Sequence, residues 1–326
     1  MPSTLLSPEQ IVTCGYMALN FFTSVSIIWA NKLAYNAGFQ FATSLTVIHF
    51  MFTFFGLTLS IKYKLFEHKP LAILQVLPIS IAFCGFVVFN NLSLQTNSIG
   101  TYQLFKVLTT PTIVAIQFCA YKTSIPLPHA ISLLPVCLGV VLATVTSVDT
   151  NLRGSIFGFF GILSTSVYQI WVKTEQSRLN CSSEQLLLYQ APVSAIMLLI
   201  LMPLVEDTES LLSFKWISLE SVFWTFLSSI LAFLVNLSIF LVIGRTSPVS
   251  YNVLGHGKLC IILLSGYLIF GDAYSIKNLI GVLMAICGIV WYTHLKLQPA
   301  TPEKPEKNEE EKIPIIPETD EEYERE

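Results

Sequence analysis

Carboxylates are missing from the interior of every long apolar stretch in this chain. Charge is scarce throughout: 12% of the 326 residues are Asp, Glu, Lys or Arg, against about 25% in a soluble protein. The apolar share is 53%, and mean hydropathy is +0.65. A soluble domain is excluded. A membrane β-barrel is excluded too, because the apolar segments are unbroken runs of about 20 residues rather than alternating segments of about 10.

Other absences narrow the function. No pair of cysteines has C-x-x-C spacing among Cys14, Cys84, Cys119, Cys137, Cys181, Cys260 and Cys287, and all but Cys181 lie in apolar spans. They read as small hydrophobes, not as disulfides or metal ligands. The five histidines are scattered, with no H-E-x-x-H. No enzyme chemistry, metal site or cofactor is implied. Basic residues form no cluster with aromatics between them, which excludes nucleic acid as a partner. The N-terminus, MPSTLLSPEQ, has no basic n-region, so neither a cleaved signal peptide nor a transit peptide is expected.

Ten candidate spans fall at about 10–31, 41–61, 71–94, 98–121, 128–148, 154–174, 185–205, 219–243, 247–270 and 274–296. Turn residues such as Asn36-Ala37-Gly38, Pro126-Leu127-Pro128 and Gly271-Asp272 separate them. An even number of spans puts both termini on one side. The even-numbered connections and the C-terminal end carry 8 basic residues: Lys62, Lys64, Lys69, Lys122, Lys173, Arg178, Arg245 and Lys296. The odd-numbered ones carry 4: Lys32, Arg153, Lys215 and Lys277. The positive-inside rule then places both termini in the cytosol. N-x-[ST] occurs at Asn91, Asn180 and Asn236, each at span depth or on the cytosolic side, so no N-glycan is expected. The net charge of −3 belongs to the tail, which carries 11 acidic and 4 basic residues from Glu303 onward. Residues 299–326 read as a disordered, acidic, cytosolic tail.

The chain repeats itself. With Tyr102 laid on Tyr251, Ile131 falls on Ile280, Leu133 on Val282 and Gly139 on Gly288. Asn91-Leu92-Ser93 recurs as Asn236-Leu237-Ser238 with a four-residue shift. Spans 3–5 therefore correspond to spans 8–10. Five spans per half is odd, so the second half must run through the membrane in the opposite sense. The expected fold is all-α: ten transmembrane helices in two inverted five-helix repeats, residues 1–150 and 151–298. Such repeats put a site at mid-membrane between the halves.

Two lysines mark that site. Lys258 lies within the span TSPVSYNVLGHGKLCIILLSGYLIFGD, and Lys106 in the corresponding span. A charge at this depth costs roughly 3 kcal/mol on insertion scales. Lys258 follows Tyr251 by seven residues and Lys106 follows Tyr102 by four, so each half presents a tyrosine and a lysine on one helical face. With no carboxylate to pair them, the lysines suit an anionic small molecule, and phosphate oxygens above all. The plainer alternative is that one or both snorkel or bond backbone carbonyls. Asn252 and His256 flank the lysine face; His256 is either a charge sensor or a helix-bonding histidine. Thr109 precedes Pro111, whose ring loosens the helix. Gate or cavity candidates are Asn31 and Lys32 at the end of span 1, Asn90 and Asn91 at the end of span 3, and Tyr189 and Gln190 early in span 7. Tyr168, Gln169, Trp171 and Lys173 read as an aromatic belt with a basic flank at the cytosolic end of span 6.

Taken in order, NK ending span 1, FNNLSL ending span 3, Y-x-x-x-K-x-x-x-T-P in span 4 and YNVLGHGK in span 9 resemble one family. It is the triose-phosphate translocator/nucleotide-sugar transporter family of the drug/metabolite transporter superfamily. The match looks nearest to solute carrier family 35, subfamily E. The resemblance covers about Val12 to Lys296. It implies ten helices in inverted halves and strict antiport. Plastid members hold phosphate with a span-4 lysine and a span-9 Lys-Arg pair; Lys106 and Lys258 match the lysines, and Leu259 stands in place of the arginine. Golgi UDP-sugar members often have Lys-Thr there. GDP-sugar members share the span-9 lysine, but their FYNN is not found on span 7.

The expectation is a multi-pass antiporter of the Golgi or endoplasmic reticulum that exchanges a nucleotide-sugar for the nucleoside monophosphate in contact with membrane lipid. A small sugar-phosphate/phosphate exchanger and a non-transporting scaffold keeping the fold remain alternatives, and a homodimer stays open.

Overall fold

The computed structural model describes residues 7–145, 152–214, 218–270 and 275–298, and every regular element among them is helical. The helices are α1 (Pro8–Asn36), α2 (Ala42–Lys62), α3 (Ile73–Thr96), α4 (Ile99–Tyr121), α5 (Leu127–Thr144), α6 (Leu152–Arg178), α7 (Ser183–Leu201), α8 (Thr208–Ser213), α9 (Leu219–Arg245), α10 (Pro248–Phe270) and α11 (Ile276–Leu297). Spans 1–7 are α1–α7, and spans 8–10 are α9–α11. Among the described residues nine helices are long and apolar enough to cross a membrane. The Gly271-Asp272 turn and the 299–326 tail lie outside the described residues.

Local chemistry sets the helix ends. Ser7 and Ser182 head capping boxes closed by Gln10 and Gln185, and Ser98, Ser218 and Ser275 cap α4, α9 and α11. The extra helix α8 was not legible as a span. It is a single short turn of helix, capped by Asp207, whose carboxylate accepts from the backbone N–H groups of Glu209 and Ser210. α2 has no cap of its own. Glu206, far along the chain, accepts instead from Thr43 N, Ser44 N (3.1 Å) and Ser44 Oγ (2.6 Å).

The outer faces are apolar: Phe22, Phe55, Leu74, Phe118, Ile200 and Leu219 all stand exposed. This is the surface expected against lipid, where no water penalises it. Inside, one cluster around Phe50, Phe83, Leu187 and Phe240 joins α2, α3, α7 and α9. A second, around Val107, Val140, Cys260 and Val282, joins α4, α5, α10 and α11. α1 packs on α9, α3 on α6, α2 on α7 and α9, α3 on α7, and α5 on α11.

Polar staples tie the connections into two ends. Lys69 Nζ donates to the carbonyls of Leu179 (3.0 Å) and Asn180 (2.7 Å), joining the α2–α3 and α6–α7 connections. At the other end Asn97 Nδ2 donates to Gly154 O (2.8 Å) and Lys277 Nζ to Val145 O (3.1 Å).

Candidate functional site

A cavity of about 690 Å³ lies between α1, α2, α3, α4, α6, α9 and α10. Lys106 and Lys258 both line it, and no carboxylate is among its lining residues. Lys258 Nζ donates to Asn20 Oδ1 (2.9 Å) and Ser24 Oγ (3.2 Å) and sits 5.4 Å from the Tyr251 ring centre. Lys106 makes no hydrogen bond or ion pair among the described residues. The cavity wall is therefore cationic and has nothing of opposite sign.

The structure brings most of the expected residues to this space. Tyr102, Thr109, Asn90, Asn91, Tyr251, Asn252 and His256 all line it. His256 Nε2 lies 3.0 Å from Thr110 Oγ1, so this histidine bridges α10 to α4. Asn252 Nδ2 donates to Gln169 Oε1 and to Pro248 O (2.9 Å). Asn90 Nδ2 donates to Phe86 O (2.7 Å) and Thr165 Oγ1 (3.1 Å), and Asn91 Nδ2 to Thr43 Oγ1 (3.4 Å).

Four candidates lie elsewhere. Asn31 stands behind the wall and accepts from Ser228 Oγ, which is 2.7 Å from His49 Nε2. Lys32 Nζ lies 5.5 Å from the ring centre of Trp29, a cation–π distance, and is not among the cavity's lining residues. Tyr189 pairs its hydroxyl with His68 Nε2 at 2.9 Å, away from the cavity. Gln190 is fully buried in the core and donates to Ser194 Oγ (2.7 Å).

The profile of the Triose-phosphate Transporter family matches residues 11–293. The chain belongs to that family. Among curated proteins it is 37% identical to UDP-xylose transporter 2 of Arabidopsis thaliana over 94% of this chain and 90% of that one. It is 37% identical to UDP-xylose transporter 1 of the same plant over 87% and 84%. With that plant's UDP-rhamnose/UDP-galactose transporter 1 it shares 36% over 86% and 82%. One crystal structure of a protein shares the fold with a TM-score of 0.67 at 15% identity, covering 86% of this chain and 99% of that one. The protein is thus a multi-pass membrane transporter rather than an enzyme.

In this transporter several cavity residues had no clear signal in the sequence. Tyr168 and Gln169 line the space instead of forming an interfacial belt. The belt reading fails because α6 runs on to Arg178, which leaves Tyr168 about three turns inside the helix. There it stacks on Phe86, with ring centres 6.0 Å apart, and packs on Phe83 and Phe240. His49 and Asn236 also line the wall; Asn236 Nδ2 donates to Thr53 Oγ1 (3.0 Å). Ser24 on the wall, and Asn20 buried one turn behind it on α1, were missed as well; both accept from Lys258 Nζ.

Proposed function

We propose that this transporter exchanges a nucleotide sugar, in particular a UDP-sugar, for the corresponding nucleoside monophosphate across a Golgi or endoplasmic reticulum membrane. The observation that carries this reading is the pair of ammonium groups, Lys106 and Lys258, on one cavity without a carboxylate. A diphosphate brings negative charge to both. The volume, about 690 Å³, lies within the roughly 300–1,000 Å³ of small-molecule sites, and the tyrosines and amides of the wall suit a base and a sugar. The three relatives are named for UDP-sugars and align along most of the chain. Exchange of one anion for another also needs no chain of membrane carboxylates, which proton coupling usually does.

In this reading all ten long helices span the bilayer, in inverted halves 1–150 and 151–298, with the 299–326 tail and both termini in the cytosol. α10 supports it by length: 23 residues rise about 34 Å, more than the roughly 30 Å hydrocarbon core. The packing supports it too. Exchange α1 with α6, α2 with α7, α3 with α9, α4 with α10 and α5 with α11. The pair α1–α9 then becomes α6–α3, α2–α9 becomes α7–α3, and α2–α7, α4–α10 and α5–α11 map onto themselves; every one of these pairs is packed. Lys106, Lys258, Tyr102, Tyr251, Asn252 and His256 are the proposed substrate contacts.

The test is exchange in proteoliposomes preloaded with UMP and offered labelled UDP-xylose outside. Uptake that needs internal UMP, and falls at least tenfold in both Lys106→Ala and Lys258→Ala, is the expected result. Unchanged uptake in both variants overturns the site.

A further inference from the structure

We propose that Asn20 is the latch of the empty carrier: it ties Lys258 on α10 to Ser238 on α9, and only an anion that takes over Lys258 releases it. This rests on the exchange reading above and adds the device that makes exchange obligatory.

Asn20 is fully buried on α1, and both ends of its amide are used. Oδ1 accepts from Lys258 Nζ at 2.9 Å, and Nδ2 donates to Ser238 Oγ, also at 2.9 Å. Ser238 is fully buried on α9. An amide is the side chain that accepts on one side and donates on the other. Asp offers only acceptors, and Ala or Leu offers neither. Ser24, one turn along α1, adds a second acceptor for the same ammonium at 3.2 Å. Three helices therefore meet at one side chain.

The position of this link is what gives it a function. α4 packs closely along α6, and the ring of Phe105 leaves no room for a Cβ at Gly158. Among the residues whose side chains are described, the matching pair under the two-fold exchange, α10 and α1, adjoins over a shorter stretch. Lys258 makes its hydrogen bonds there, so α10 is tied to α1 by the same ammonium that faces the cavity. Parting α10 from α1 without a ligand would leave a buried carbonyl and an ammonium unpaired, which is costly. A phosphate oxygen is a stronger, charge-assisted acceptor for that ammonium. A ligand shifts a conformational equilibrium only by binding one state better than another, and here its competition with Asn20 supplies the difference.

Net efflux and exchange separate this from a structural role. Proteoliposomes are loaded with labelled UMP and diluted into buffer with or without UDP-xylose. Wild type should release label chiefly when UDP-xylose is outside. Asn20→Ala should raise the ratio of net efflux to exchange about tenfold, the worth of one charge-assisted hydrogen bond. Asn20→Asp, a fixed anion beside Lys258, should instead keep the ratio low and raise the KM for UDP-xylose. Should Asn20→Ala not fold, Ser24→Ala removes the second acceptor at the cavity wall and should raise the ratio in the same direction. Wild type that exchanges, with both alanine variants at the wild-type ratio, overturns the latch and leaves the exchanger standing. Wild type that releases label equally well without UDP-xylose overturns the latch also. No movement of nucleotide under either condition overturns the transport reading, and the latch with it.

Discussion

Gly139 on α5 and Gly281 on α11 meet reciprocally. A Cβ on Gly139 would lie 2.6 Å from the carbonyl oxygen of Gly281, and a Cβ on Gly281 would lie 2.7 Å from the carbonyl oxygen of Gly139. Each glycine is followed four residues later by an alanine, Ala143 or Ala285, so each helix offers a small-xxx-small face. The obstacle in both cases is backbone of the other helix, which cannot turn aside. Gly281→Ala should cost about 1–3 kcal/mol, the usual range for overpacking, read as a fall in thermal midpoint in detergent. Gly15, with open space around it, is the control: Gly15→Ala in a helix interior should hold the midpoint or raise it by the equivalent of up to about 1 kcal/mol of stability. Equal midpoints for the two variants would contradict the close crossing.

Glu206 performs for α2 what a cap normally does from the adjacent residue. It accepts from two backbone N–H groups and one hydroxyl at the start of that helix. Glu206→Ala should destabilise the protein by about 0.5–2 kcal/mol, the range of a lost N-cap. Amide exchange should rise first at residues 42–45. Protection there that matches wild type would show that α2 does not depend on this carboxylate.

Asp207 caps the short α8, and its bonds to the Ser210 hydroxyl and backbone hold its carboxyl below the usual carboxylate range. A depressed folded-state pKa means that the stabilisation is present above the unfolded value. It is lost only as pH falls through the lower, folded one. Acidifying from pH 7 to pH 5 should therefore leave the protection of residues 208–213, corrected for intrinsic exchange, unchanged. Loss of protection within that window would show that the cap does not act through an ionised Asp207.

That both lysines line the cavity was legible because a charge inside an apolar span is costly, and helical offsets of four and seven keep each lysine on the face of its tyrosine. Asn252 and His256 came with them because they flank the same face of α10, whereas Asn90 and Asn91 were picked out by the end of span 3 and Thr109 by its neighbour Pro111, and all five line the cavity. The end of span 1 was a poorer guide. Asn31 and Lys32 lie inside α1, which runs on to Asn36, and they turn away from the cavity. Gln190, on α7, is buried in the core rather than at the cavity, since sequence spacing alone does not say which face of an apolar helix lines it. Asn20 and Ser24 escaped because single polar residues in an apolar span become meaningful only once their partner, Lys258, is seen opposite. The short helix α8 escaped for a different reason: six residues carry too little periodicity to register, and its Asp207 cap reads equally well as an acidic loop.

Lys106 and Lys258 together are the claim on which the functional account stands, and ligand-induced thermal stabilisation tests them most directly. UMP and UDP-xylose should raise the melting midpoint of the purified wild-type protein, by the equivalent of about 2.7 kcal/mol at a hundredfold excess over Kd. Uridine, which lacks a phosphate, should not. Lys106→Ala with Lys258→Ala should abolish the UMP shift. A double variant still stabilised by UMP to the wild-type extent, or a wild type that answers uridine as well as UMP, would contradict the account.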